Sequence, residues 1–235
     1  VKMTYRLGLL VPSSNTTMEP EFYTMKPVGV TVHAARMRIR KVTPEGLAEM
    51  ERELEGAALS LVDAKVDVIG YGCTSGSLIR GLGHDKEIVS KIEECTRTPA
   101  VTTSGAVVDA FKTLALNRIS VATPYIDSIN LLERRFLEGS GFRVLELKGL
   151  GIEDNPTIGG QRPNTILRLA REANRREAQG VFISCTNLPT IEVIPRLEKE
   201  LGKPVVSSNT ATLWSMLRKA GFKSLVRGYG RILLT

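Results

Sequence analysis

Cys73 and Cys185 are two of only three cysteines in the chain, and each precedes a threonine at the end of an apolar run. The two stretches read "GCTSGSL" (72–78) and "SCTNLPT" (184–190). Two thiols facing one carbon can divide a reaction between them. One adds to the carbon or removes a proton, and the other delivers or takes back a proton. A thiol at its reference pKa of about 8.5 is only a few per cent thiolate at neutral pH. A helix N-terminus lowers that value, and both cysteines are expected at strand-to-helix turns where such help is at hand. Two buried, inert cysteines are the plainer alternative. Cys95 supplies the contrast: it shares a helical face with Ile88 and Ile92 and is expected to pack.

Polar groups recur near the same strand ends. "VPSSNTT" puts Ser14 and Asn15 in a turn before a helix, where they can hold a carboxylate. Tyr125 follows Pro124 at the corresponding point further on, and Thr186 follows Cys185 as Thr74 follows Cys73. Asn155 lies in a polar, glycine-containing stretch, 150–162, that has the composition of a lid.

The elements that position these residues follow from hydropathy. "LGLLV", "VDVIGYG", "PAVTT", "RISVAT", "GFRVLEL", "GVFIS" and "KPVVSS" read as strands, several apolar throughout, as in a parallel sheet covered on both faces. Helices are expected between them. One starts at Thr43-Pro44-Glu45 with Leu47, Met50, Leu54, Ala58 and Leu61 on its core face. Others are expected at about 104–117, 126–139, 163–179, 189–201 and 209–220. The alternation predicts an α/β fold.

The chain also repeats itself. "RLGLLVP" and "RISVATP" begin 112 positions apart, and Pro12/Pro124, Cys73/Cys185 and Thr74/Thr186 share that offset. "TPAVTTSGAVVDAFKTL" resembles "KPVVSSNTATLWSMLRK" at a slightly smaller one. Two pseudosymmetric, flavodoxin-like halves are therefore expected, 1–115 carrying Cys73 and 116–222 carrying Cys185, with 223–235 packing back on the first. The site is predicted at their interface, beyond the carboxyl ends of the strands.

Composition narrows the function classes. The net charge is +7, but Lys and Arg are dispersed among Glu, which argues against nucleic acid and suits a small anionic substrate. There is no CxxC or HExxH and only two histidines, so no metal site is expected. The apolar run near the N-terminus is too short to span a membrane, and no cleavage site follows it, so a cytoplasmic protein is expected.

Together these residues resemble the aspartate/glutamate racemase superfamily. "VPSSNTTMEPE", "CTNLPTIEVIPRLEKELGKPVVSSNTATLW" and the terminal "GYGR" are most similar to its maleate cis-trans isomerase and arylmalonate decarboxylase branch. The resemblance implies cofactor-independent chemistry on a small carboxylate or dicarboxylate, and a homodimer. It implies Cys73 as the thiolate that adds to a double-bond carbon and Cys185 as the acid/base, with Asn15, Tyr125 and Asn155 binding substrate. Thr74 and Ser75 resemble the dioxyanion pocket of the decarboxylases, which carry only the second cysteine. Three readings follow. The first is a maleate isomerase-like enzyme. The second is a decarboxylase of disubstituted malonates, or a racemase. The third is a carboxylate-binding protein with inert cysteines.

Overall fold

The computed structural model describes residues 4–39 and 41–235; the first three residues of the expected N-terminal half lie outside it. Two four-stranded parallel sheets are present. The first contains β1 (Tyr5–Pro12), β2 (Val30–Met37), β3 (Val68–Tyr71) and β4 (Ala100–Thr102) in the order β2-β1-β3-β4. The second contains β5 (Arg118–Thr123), β6 (Arg143–Gly149), β7 (Gly180–Ile183) and β8 (Val205–Ser207) in the order β6-β5-β7-β8. The two orders are one topology used twice. The central strands "VIGY" and "GVFI" are buried along their whole length, which is why they read as unbroken apolar runs.

The helices of the first half are α1 (Met18–Met25), α2 (Pro44–Glu51), α3 (Leu54–Val62), α4 (Thr74–Leu78), α5 (His84–Thr96) and α6 (Thr103–Thr113). Those of the second are α7 (Asp127–Gly139), α8 (Asn155–Gly159), α9 (Pro163–Ala173), α10 (Ile194–Leu201) and α11 (Ser208–Lys219). Thr43 caps α2 as expected, its hydroxyl accepting the Gly46 N–H at 3.3 Å, with Pro44 in the first turn. The predicted face Leu47, Met50, Leu54, Ala58 and Leu61 is buried, although the helix is interrupted at Arg52 and Glu53.

Four expectations are corrected. β2 was not anticipated: as an edge strand it alternates buried Val30 and Val32 with exposed Thr31, and His33 and Arg36 dilute its hydropathy. The helix expected over 163–179 stops at Ala173. The one expected from 189 begins at Ile194, because 184–193 forms turns instead. The C-terminal segment lies mainly against the second half. Ile232 and Leu233 are buried in a turn packed on α11 and β8, the Arg231 N–H donates to Glu198, and Arg218 of α11 donates to the Thr235 carbonyl. It also reaches the first half: Val226, Ile232 and Leu233 share a hydrophobic cluster with Phe22 and Met25, and the Tyr229 hydroxyl donates to the Thr24 carbonyl at 3.3 Å.

The halves are joined by exchanged packing. Helix α11 follows β8 yet also covers β3 and β4 of the first sheet, and α6 in turn lies against β8. Gly70 of β3 permits this: a Cβ there would stand 2.5 Å from the Met216 sulfur. On the other side Phe111 of α6 meets Phe182 of β7 edge to face, centroids 5.5 Å apart. The Thr212 hydroxyl donates to the Thr103 hydroxyl at 3.0 Å and ties α11 to α6. No helix among the described residues is long and apolar enough to cross a membrane.

Candidate active site

β3 and β7 end on the same cavity. Cys73 follows β3 and is the N-cap of α4, its sulfur accepting the Gly76 N–H at 3.3 Å with the Ser75 hydroxyl 3.8 Å away. Cys185 follows β7 with a backbone φ of +92°, a conformation that costs a non-glycine residue about 1–3 kcal/mol. Hydrogen bonds hold it there. Its N–H donates to the Ser208 hydroxyl at 3.0 Å, and its sulfur accepts the Asn187 N–H at 3.4 Å and the Tyr125 phenol.

The predicted site residues converge with one exception. Asn15, Cys73, Thr74, Ser75, Tyr125, Asn155, Cys185 and Thr186 all line the cavity. Ser14 stands behind the wall and accepts from the Asn155 amide at 2.8 Å. Asn15 uses its oxygen to cap α1, accepting from the Thr17 and Met18 N–H groups, and donates to the Thr186 hydroxyl at 3.0 Å. That hydroxyl donates across the halves to the Gly72 carbonyl at 3.1 Å. The Tyr125 loop is fixed by Asn130 of α7, whose amide donates to the Tyr125 carbonyl at 3.1 Å. Gly149 leaves room for this contact, since a Cβ there would lie 2.3 Å from the Asn130 nitrogen.

The stretch 150–162 is not a free lid. It contains α8, capped by Asp154, with Asn155 and Ile158 buried. The opposite side of the cavity is closed by Ile39, Val42 and Leu47. The space left between these walls is about 20 Å³, room for about one water. A substrate of several heavy atoms therefore needs the walls to stand further apart than they do here.

Sequence reasoning missed three groups. Asn187 also lines the cavity: its oxygen accepts the Thr16 N–H at 2.8 Å and its amide donates to the Asn155 carbonyl at 2.6 Å. Ser208 accepts from both Thr74 and the Cys185 N–H, so one hydroxyl couples the two cysteine loops. The alignment of "VTTSG" with "VSSNT" pairs Ser208 with Thr103 and was the available signal. Glu21 and Glu133, also 112 positions apart, are both buried, but their flanking residues differ too much for the match to stand out. Truncating Asn187 to alanine strands the Thr16 N–H and the Asn155 carbonyl. The expected cost is about 2–3 kcal/mol, read as a fall in Tm of roughly 5–10 °C.

Electrostatics also depart from expectation. Burial raises both thiols, outweighing their hydrogen bonds. The Cys73 thiol is raised although the Gly76 N–H and Ser75 oppose the rise, and Cys185 is pushed up to about 12. Cys185 has no helix start beside it, since α10 begins nine residues later at Ile194. Burial, then the nearby Cys185, Glu133 and Cys73, holds the Tyr125 phenol well above its usual range. Among the described residues, none lining the cavity carries a formal charge in its ordinary ionisation state.

The comparison with known proteins agrees with this geometry. A family model described as arylmalonate decarboxylase matches residues 7–233. The chain belongs to that family. This arylmalonate decarboxylase family member is 32% identical to a maleate isomerase of Pseudomonas putida, over 97% of each chain. It is 29% identical to the arylmalonate decarboxylase of Bordetella bronchiseptica, over 97% of this chain and 96% of that one. A solved structure of the Nocardia farcinica maleate cis-trans isomerase, a cysteine-to-serine mutant with a covalently bound succinylcysteine intermediate, superposes with a TM-score of 0.94. It is 30% identical and covers 98% of each chain. Members of the family thus include both an isomerase and a decarboxylase. This one carries two cysteines on a single cavity wall.

Proposed function

We propose that this protein is a cofactor-independent maleate cis-trans isomerase. The observation that carries the reading is the pair of thiols on one narrow cavity, Cys73 with the Gly76 N–H and the Ser75 hydroxyl at its sulfur and Cys185 with its thiol pushed up to about 12. The maleate isomerases among its relatives support the substrate.

Cys73, as thiolate, attacks one alkene carbon. The C–S bond forms, and the π electrons move onto the other carbon and its carboxylate. Cys185 gives its proton to that carbon, leaving a succinyl thioether on Cys73 and a thiolate at 185. Rotation about the new single bond brings the carboxylates to opposite sides. Cys185 takes the proton back, the C–S bond breaks, and fumarate leaves. Among the described residues of the wall, the developing carboxylate charge is met by fixed dipoles: the amides of Asn15 and Asn155, the hydroxyls of Thr74, Ser75 and Thr186, and the Tyr125 phenol.

The test is proton NMR with maleate in deuterated buffer, run on the parent and on Cys73→Ser and Cys185→Ser variants. Fumarate from the parent and from neither variant supports the two-thiol reading; no turnover by the parent overturns it. A second reading, decarboxylation of a disubstituted malonate, is favoured by Thr74 and Ser75 beside the cavity. It predicts carbon dioxide loss from a phenylmalonate that survives loss of Cys73. A homodimer and a cytoplasmic location belong to the same reading, and light scattering tests the first.

Because burial raises the Cys73 thiol, its thiolate fraction at neutral pH is smaller than for a free cysteine, and it grows as pH rises. The kcat/KM for maleate is therefore expected to climb through neutral pH toward and beyond the ordinary thiol value. A profile that is flat or falling between neutrality and that value contradicts the thiolate step.

A further inference from the structure

Glu21 and Glu133 occupy matched positions on α1 and α7, and both are buried. Their partners differ. The Glu21 carboxylate accepts the Thr190 and Ile191 N–H groups, the Thr190 hydroxyl and the Asn209 amide, and so pins α1 to the loop after Cys185. Glu133, at 0% exposure, has one partner: the Ser184 hydroxyl donates to its Oε1 at 2.5 Å. Its Oε2 is buried with no hydrogen-bond partner among the described residues. A carboxyl left half-satisfied in a closed interior calls for an explanation beyond packing.

Its place supplies one. Ser184 is the residue before Cys185, so Glu133 fixes one side of the strained +92° backbone while Ser208 fixes the other. The Glu133 charge is felt at both Cys185 and Tyr125. Helix α4, packed on α7, bears no ionisable side chain except its capping Cys73; on β6, Arg143 and Lys148 are exposed and Glu146 pairs with Arg175, and on α7 itself Arg134 pairs with Glu138. Among the described residues, no lysine, arginine or histidine pairs with its carboxylate. We propose that Glu133 is a positioning residue for Cys185: through Ser184 it fixes the backbone of the proton-donating cysteine, and on ionising it puts a negative charge near that thiol and the Tyr125 phenol.

Burial raises the Glu133 carboxyl to about 7, opposed by the Ser184 hydrogen bond. It is neutral below that pH and charged above it, and the charged form disfavours a thiolate at 185. The catalytic consequence rests on Cys185 as proton donor; the electrostatic contact does not. The experiment therefore reads the thiol directly. In a Cys73→Ser, Cys95→Ser background Cys185 is the sole thiol, and its alkylation by iodoacetamide is followed on both sides of the pH near 7 where Glu133 titrates.

Below that pH, Glu133→Gln and its background are expected to react equally. Above it, the glutamine variant reacts about tenfold faster, the equivalent of one pKa unit. Equal rates on both sides overturn the proposal. Ser184→Ala gives a second arm if the first variant fails to fold. Loss of the hydrogen bond that lowers Glu133 moves the break in the alkylation profile to higher pH, and an unmoved break overturns the proposal as well. Failure of the parent to convert maleate would remove the isomerase reading and leave these rates unchanged.

Discussion

Replacing Cys73 with serine should lower kcat/KM for maleate by at least about a thousandfold and leave the fold intact. A serine hydroxyl is far less acidic than even a raised thiol, so at neutral pH the nucleophile is almost absent. The structure accommodates the change. Cys73 is the N-cap of α4, and serine is a preferred residue there, able to accept the Gly76 N–H in place of sulfur. The measurement is fumarate formation by NMR beside a thermal melt. More than about a tenth of the parental rate in a variant of unchanged Tm would remove Cys73 from the chemistry.

Cys185→Ala should also lose at least about a hundredfold in kcat, the usual contribution of a positioned acid. It should fail differently. Addition by Cys73 remains available, but the carbon that accepts the proton must take it from water and cannot return it to the missing thiol. The thioether then persists. Intact-protein mass spectrometry is expected to find a gain of one maleic acid, mapped to Cys73 and absent from the Cys73→Ser protein. The succinylcysteine held by the mutant Nocardia farcinica enzyme is the same kind of species. Turnover near the parental rate with no adduct would exclude Cys185 as the proton carrier.

Much of this was legible in the sequence, because the signals are local. The apolar runs of β3 and β7 announce buried strands, Thr43-Pro44 announces a helix start, and the matched Cys-Thr pairs announce a repeat with chemistry at its strand ends. What stayed hidden depends on contacts across the chain. Asn187 matters because Thr16 and Asn155 reach it from elsewhere, and Ser208 because it lies between two loops. The sign of the thiol shifts was also misread. Helix starts were set against the thiol pKa while burial was weighed only as the mark of an inert pair, and at Cys185 the helix is absent while the burial is nearly complete.

The exchange of α6 and α11 gives the molecule a property its repeat does not suggest. A duplicated chain is commonly pictured as two beads, each able to melt alone. Here β3 and β4 lose their cover if the second half leaves, and β8 loses part of its own if the first does. Each bead taken separately would present to water the apolar face that its twin now shields, around Gly70 and Met216 on one side and Phe111 and Phe182 on the other. Heat and denaturant therefore act on one cooperative unit, and the geometry between the two sulfurs persists until the whole molecule gives way.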